Sequence, residues 1–325
     1  MTEQQTGYNT LTSIGWESTY GTAITTGYKM PVNSNGIKKT VKKNHPGTIT
    51  GRRDRSKPFK GNIDVSGPIT VPMDTEALWY WLYAMFWDGV SAGWSQAYSD
   101  PLYTHTFVPQ VLQGSFTEQK AFSDVTEFFY TVGNKITGFS ISVGGDTNTE
   151  LIMSIDTMGS DGANVGSTVF SSAETTVSLG ERLNISDASI EIDTVESSRI
   201  SDLTLKVDFG HKGTRLVGGG GKYGKLPPGF ISVSGSFTSI FDDAEIIDIA
   251  AADTEVQLEL IFTPSVNSTH ILTFDMEEIE LEEETPIING GEDGILVNSN
   301  FYGYFDNGSN NTSLKVTQIN TVDHS

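Results

Sequence analysis

The 325-residue sequence predicts a mainly β protein. Three observations carry that reading. Thr, Ser, Val and Ile alternate between Gly and Asp/Asn clusters along most of the chain, only one stretch reads as a firm helix, and one strand-to-helix segment occurs twice.

Strands are expected at 61–71 (GNIDVSGPITV), 136–143 (ITGFSISV), 151–157 (LIMSIDT), 200–207 (ISDLTLKV), 230–239 (FISVSGSFTS), 256–262 (VQLELIF) and 313–319 (SLKVTQI). In 136–143 plain alternation puts Thr137, Phe139, Ile141 and Val143 on the buried face and Ile136, Gly138, Ser140 and Ser142 on the other. The acidic run 275–284 (DMEEIELEEE) breaks its own alternation. If Leu272, Phe274 and Met276 face the core, a one-residue bulge near Glu277 is needed to return Ile279 and Leu281 to the same side. The carboxylates then point to water or to a basic partner.

The helix is expected over about 74–88. Asp74 can cap the free amides of a first turn, the apolar run 77–87 (ALWYWLYAMFW) follows, and Asp88-Gly89 ends it. Apolar on nearly every side, it belongs inside the domain or partly against a partner subunit. A weaker helix is expected over 242–252 (DDAEIIDIAAA).

Both helices are approached through the same sequence. Residues 61–70 (GNIDVSGPIT) match 229–238 (GFISVSGSFT) without a gap, and Asp74 and Asp242 then open the two helical stretches at the same 168-residue offset. One duplication over such a distance fits a single domain, 1–325, built of two related halves at about 1–180 and 185–325, rather than a solenoid. Loops are expected at 180–187, between the halves, at the glycine-rich 210–229, of which 219–226 reads as flexible, and at 290–294.

Charge is unevenly placed. The chain carries −21 overall, which argues against a sequence-reading nucleic-acid binder. Between Lys38 and Lys60, however, nine basic residues (Lys38, Lys39, Lys42, Lys43, Arg52, Arg53, Arg55, Lys57, Lys60) face one acid, Asp54, a local charge of +8 that leaves −29 for the remainder. The segment 36–60 is either a solvated loop or a basic arm that docks on an acidic face of a neighbouring copy. The amino terminus lacks the pattern of a secretory signal, and the longest apolar run has 11 residues where a membrane-crossing helix needs roughly 20. A soluble protein is expected. With no cysteine in the chain, disulfides and thiolate chemistry are excluded.

No motif supports catalysis. Gly219 to Leu226 (GGGKYGKL) approaches a phosphate-cradling loop, but Leu226 stands where a hydroxyl must reach magnesium and Pro227-Pro228 block the helix that should follow. The five histidines have no short metal-ligand spacing, no Gly-x-Ser-x-Gly elbow is present, and no calcium-loop pattern or distinguished carboxylate pair emerges among 41 acids. The expectation is no enzyme, no cofactor and no metal.

Taken in order, several segments resemble the tail tube protein family of tailed double-stranded DNA phages. The opening 14–23 (IGWESTYGTA) is similar to that family's start, and the strand plus helix at 61–89, the 135–159 segment, GFISVSGSFT and the closing 314–321 (LKVTQINT) follow in its order. The resemblance implies a β-sandwich or barrel with a flanking helix, six copies per ring, and rings stacked into a hollow conduit through which the genome leaves the capsid. It also implies a place in the virion tail after synthesis in the host cytoplasm, with tape-measure, tail terminator and baseplate proteins as partners and DNA passing without specific binding. The acidic body suits such a wall, and the basic arm, with Lys38, Lys39, Lys42, Lys43, Arg52, Arg53 and Arg55, could reach the next ring. The competing readings are another virion β-protein, sheath or fibre, and a carbohydrate-binding surface adhesin, the latter disfavoured by the missing signal.

Overall fold

The computed structural model describes residues 4–144, 150–197, 199–252, 254–288, 294–306, 308 and 310–324, and it is mainly β with two short helices. Of the expected loop at 290–294, only Gly294 lies among the described residues.

The largest layer is an antiparallel sheet in the order Lys38–Asn44, Phe59–Pro72, Ile152–Gly159, Glu127–Gly144, Ile200–Asp208, Ser232–Ile240, Leu296–Gly303 and Ile271–Leu281. One face of it is apolar in register. The row Ile69, Ile155, Phe139, Val207, Val233, Gly303, Ile279 crosses seven strands, and every apolar side chain in it is buried. Strand Ile271–Leu281 turns the corner into a second sheet, pairing with Val256–Phe262 on one side and Lys315–Asn320 on the other; the latter continues to Leu102–Phe107 and Trp94–Ser99. Phe139 and Phe274 meet across the two sheets with ring centroids 6.1 Å apart. This is the packing of a β-sandwich around one core.

Ile136 corrects the plain alternation. It is fully buried, because the ladder between Glu127–Gly144 and Ile152–Gly159 slips by one residue at Thr137, and an extra residue reverses the side-chain phase. The bulge expected near Glu277 is present. Val256 pairs with Ile279 and Leu258 with Met276, so three steps on one strand match two on the other, and Ile279 and Leu281 return to the core.

The first helix, α1, spans Leu78–Phe86, shorter than expected but in place. The Asp74 carboxylate accepts from the Ala77 amide (3.2 Å) and the Leu78 amide (2.7 Å), and also from the Gly180 amide (2.9 Å). It therefore starts the helix and clamps the 180–187 connection, which is not a loose linker. Phe86 packs on Phe107 of the second sheet and on Phe209 below the first, wedging α1 into the core. The second helix, α2, spans Glu245–Ala251. Asp242 does not cap it: Asp242 and Asp243 both pair with Arg199, at 3.2 and 2.7 Å.

A third sheet runs Ala173–Thr176, Thr26–Met30, Thr10–Trp16, Phe116–Phe122, the first half of Glu127–Gly144, and Asp161–Val165. Its centre buries two carboxylates. Glu17, from the IGWESTYGTA segment, accepts from Ser115 Oγ (2.8 Å), Thr117 Oγ1 (3.0 Å) and the Gly21 and Gly133 amides (both 2.8 Å). Glu118 is fully buried and accepts from Asn35 Nδ2 (2.6 Å) and Thr131 Oγ1 (2.9 Å). Burial pushes its carboxyl up to about 7, against the opposing pull of Lys120 and of those hydrogen bonds. Between about pH 4.5 and 7 the folded chain then holds a proton that the unfolded chain has released, so stability falls as pH rises through that window. Glu118→Gln is expected to flatten this slope. Urea unfolding at pH 5 and 7.5 should show wild type losing on the order of 2 kcal/mol relative to the variant across that interval.

Candidate functional site

Much of the solvent side of the large sheet carries hydroxyls, although a row Lys38, Ser66, Met158, Lys135 on the same side adds two cations. One register row reads Ser34, Thr70, Ser154, Ser140, Lys206, Ser234, Tyr302, Glu280 across eight strands, and none of the eight is buried. A second reads Ser142, Thr204, Ser236, Asn300, and a third Pro68, Asp156, Gly138, Asp208, Ser232. The alternation that buries Phe139 and Ile141 places Ser140 and Ser142 outward. Lys206 is the one cation in these three rows.

The acids gather elsewhere. Glu191, Glu259 and Asp275 stand directly opposite one another on neighbouring strands of the second sheet, and only Lys315, 3.1 Å from Asp275, ends the row. Burial and then the charges of Asp275 and Glu191 raise the pKa of Glu259. Like charges opposed in this way destabilise a sheet, so packing must offset the repulsion.

The basic segment is a hairpin arm: strand Lys38–Asn44 pairs with the start of Phe59–Pro72, and residues 45–58 connect them in exposed coil. The structure divides its cations. Lys39 sits 2.6 Å from Asp161, and Lys42 3.2 Å from Asp64. Lys38, Lys43, Arg52, Arg53 and Arg55 make no ion pair among the described residues. Spacing alone could not reveal this split, since Asp64 and Asp161 lie on other strands.

The glycine-rich 210–229 stretch is not a flexible loop. Strands Thr214–Arg215 and Tyr223–Lys225 form a hairpin, and Arg215 lies over the Tyr223 ring at 3.8 Å while donating to Asp64 and to the Ile63 carbonyl. Lys222 reaches Asp161 at 2.9 Å, and the Ile63 amide donates to the Gly221 carbonyl. Partial burial pushes the Asp64 carboxyl up, but the hydrogen bonds and charges of Lys42 and Arg215 outweigh it and hold the group below the usual carboxylate range. Asp161 is lowered in the same way by Lys39 and Lys222. These two aspartates, unmarked in the sequence, fix the root of the arm.

Among the described residues no cluster of three metal-ligating side chains occurs, and no helix is long and apolar enough to cross a membrane. No helix follows the 219–226 segment, so the phosphate-loop element is missing.

No curated protein matches the chain. A family model described as phage tail tube protein matches residues 7–303, nearly the whole length and both copies of the repeat. With the β-sandwich, the wedged helix and this match together, the chain belongs to the phage tail tube protein family, a family of structural proteins of the virion tail.

Proposed function

We propose that copies of this chain close into rings, six around as the resemblance implies, and that the rings stack into a hollow conduit for genome delivery, with the hydroxyl face of the large sheet as its inner wall. The observation that carries this is the eight-strand row of unburied polar residues, five of them Ser or Thr, with a single cation. Duplex DNA binds chiefly through its phosphates, so a wall of Ser, Thr and Asn with few cations gives it little to hold. Asp156, Asp202 and Asp208 on the same sheet side add mild repulsion.

Replacing Ser140, Thr204 and Ser236 by lysine should leave tubes intact but slow DNA release severalfold, with the delay shrinking as salt is raised. Unchanged release from normal tubes would reject the wall assignment.

The exposed 45–58 connection, with Arg52, Arg53 and Arg55, is the natural contact with a neighbouring ring, where facing acids such as Glu191 and Glu259 complement it. Shortening 45–58 to a two-residue turn is expected to give separate rings in negative-stain images. Long tubes of normal length would show that the loop is only a solvated surface. The same reading places the protein in the virion tail after synthesis in the host cytoplasm, beside tape-measure, terminator and baseplate proteins.

The duplicated segment supports one domain of two related halves. Gly67 and Gly235, the matching glycines, both lie where a neighbouring strand passes too close for a Cβ: the Gly36 carbonyl in one case, the Thr204 carbonyl and Phe301 ring in the other.

A further inference from the structure

We propose that the joint between strands Glu127–Gly144 and Ile200–Asp208 within the chain is repeated between chains, with residues 282–288 of one copy adding as a strand to the open edge at 34–40 of a second copy. The inference rests on the tube-subunit reading and gives its ring contact a register.

The first argument is the equivalence of pairings. Lys38 pairs with Ser66 and Lys39 with Val65; 168 residues on, Lys206 pairs with Ser234 and Val207 with Val233. Gly159 pairs with Val65 and Met158 with Ser66; Gly303 pairs with Val233 and Tyr302 with Ser234, the first partner of each pair 144 and the second 168 residues on. Even the bulge recurs, between Phe116↔Asn134 and Glu118↔Thr131 in one half and between Val256↔Ile279 and Leu258↔Met276 in the other. Past it the first half carries a second bulge, at Thr137, that the second half lacks; beyond that, Asp156 pairs with Gly138, and the Glu282 amide donates to the Asn300 carbonyl at 2.9 Å, 144 residues on.

By this equivalence Glu282 stands where Gly138 stands and 34–40 where 202–208 stand; residues 283–288, which make no ladder with Leu296–Ser299 in the single chain, take the places of 139–144 if the strand runs on. Inside the chain 138–144 and 202–208 are paired over seven residues. At the outer ends, among the described residues, 282–288 have no strand on their far side and 34–44 have only Phe59–Pro72 beside them. Two unlike open edges that match an existing joint generate a head-to-tail contact, which closes into a ring if the rotation allows.

The second argument is hydrogen-bond phase. The Glu282 amide is used inward, so the backbone groups of 283, 285 and 287 point outward, and Pro286, which has no N–H, sits at an inward position where the outer ladder loses nothing. On the other edge the Gly36 amide points inward to the Pro68 carbonyl (2.8 Å), leaving 35, 37 and 39 outward. Transferring the internal register pairs Glu283 with Lys39, Thr285 with Ile37 and Ile287 with Asn35, outward group against outward group. In the single chain, side chains cover this edge: the Ile37 amide donates to Asn35 Oδ1 (3.1 Å), and Lys120 donates to the Ile37 carbonyl.

The third argument is chemistry. Glu283 and Glu284 fall opposite Lys39 and Lys38. The exposed Ile287, opposite Asn35, falls at a groove of about 430 Å³ lined by Leu11, Met30, Val32 and Phe122, with Lys120 on its wall and Lys38 and Lys39 further along the same edge, where the acids fall. An apolar groove with a basic rim suits an extended segment of three acids followed by two isoleucines.

The absence of cysteine makes the test direct. Glu284→Cys and Lys38→Cys, made in separate chains, mixed and oxidised, should form disulfide-linked pairs, because facing residues at a non-hydrogen-bonded position approach within disulfide reach, about 4.5 Å between Cα atoms. The double variant should give a ladder of covalent oligomers, and the shifted combination Pro286→Cys with Lys38→Cys at least severalfold less product. Rings or tubes in negative stain with little in-register product, or with equal product from the shifted pair, overturn the inference and leave the tube reading standing. No assemblies and no cross-link reject both. As a cysteine-independent check, Lys38→Glu should weaken assembly and Glu284→Lys in the same chain should restore it; failure of the restoration counts against the register.

Discussion

Replacing Glu17 by alanine is expected to remove roughly 3–5 kcal/mol of stability, because the carboxylate gathers four donors from three separate segments and three of those bonds are buried. The Ser115 and Thr117 hydroxyls can rotate toward other acceptors. The Gly21 and Gly133 amides cannot, and an orphaned buried amide costs about 1–3 kcal/mol. Glu17→Gln separates charge from geometry. Each carboxylate oxygen accepts from one hydroxyl and one amide, so the side-chain NH₂ must face an amide donor whichever way it is turned. A loss of roughly 2 kcal/mol is expected for it. Chemical unfolding of both variants checks this, and a glutamine variant as stable as wild type would mean that Glu17 already carries a proton in the fold. Burial does raise its pKa.

Gly235→Ala is expected to destabilise the chain by roughly 3 kcal/mol or more. The added Cβ would overlap the Thr204 carbonyl and the Phe301 ring together, and neither can withdraw without opening a ladder at the middle of the large sheet. Gly166→Ala, where a Cβ meets nothing within 4 Å, is the control and should be nearly neutral. Thermal unfolding of the pair decides it. Similar melting temperatures would show that the strands around Gly235 have slack, which a shared register across eight strands does not lead one to expect.

Much of this was legible in the sequence because it is local. Alternation places Phe139 and Ile141 inside and Ser140 and Ser142 outside, and the failure of alternation around Glu277 demands a bulge that the pairing contains. The Thr137 bulge escaped because Ile136 and Phe139 read equally well as members of opposite faces until the partner strand is known. Asp74 is visible as a helix opener; Asp242 at the matching position is misleading, since Arg199, at the turn before strand Ile200–Asp208, takes its carboxylate. The same limit hid the division of the basic arm. Lys39 and Lys42 meet Asp161 and Asp64 only once distant strands are side by side, and the glycine-rich hairpin is held by Arg215 through a contact some 150 residues away in sequence. The polar wall is written in pieces, but its continuity is a property of register alone.

The large sheet has one joint that folding closes and two edges that folding leaves open, and they differ in the company they must keep beforehand. Phe139 and Val207 meet as the chain collapses and never wait in water. At the corresponding outer positions stand Glu283 and Lys39, with Pro286 and Lys38 beside them. On the ring reading proposed above, such edges favour a chain that stays dispersed before assembly, because greasy open edges pair at random. The two outer edges of this sheet are thus charged where its internal joint is apolar.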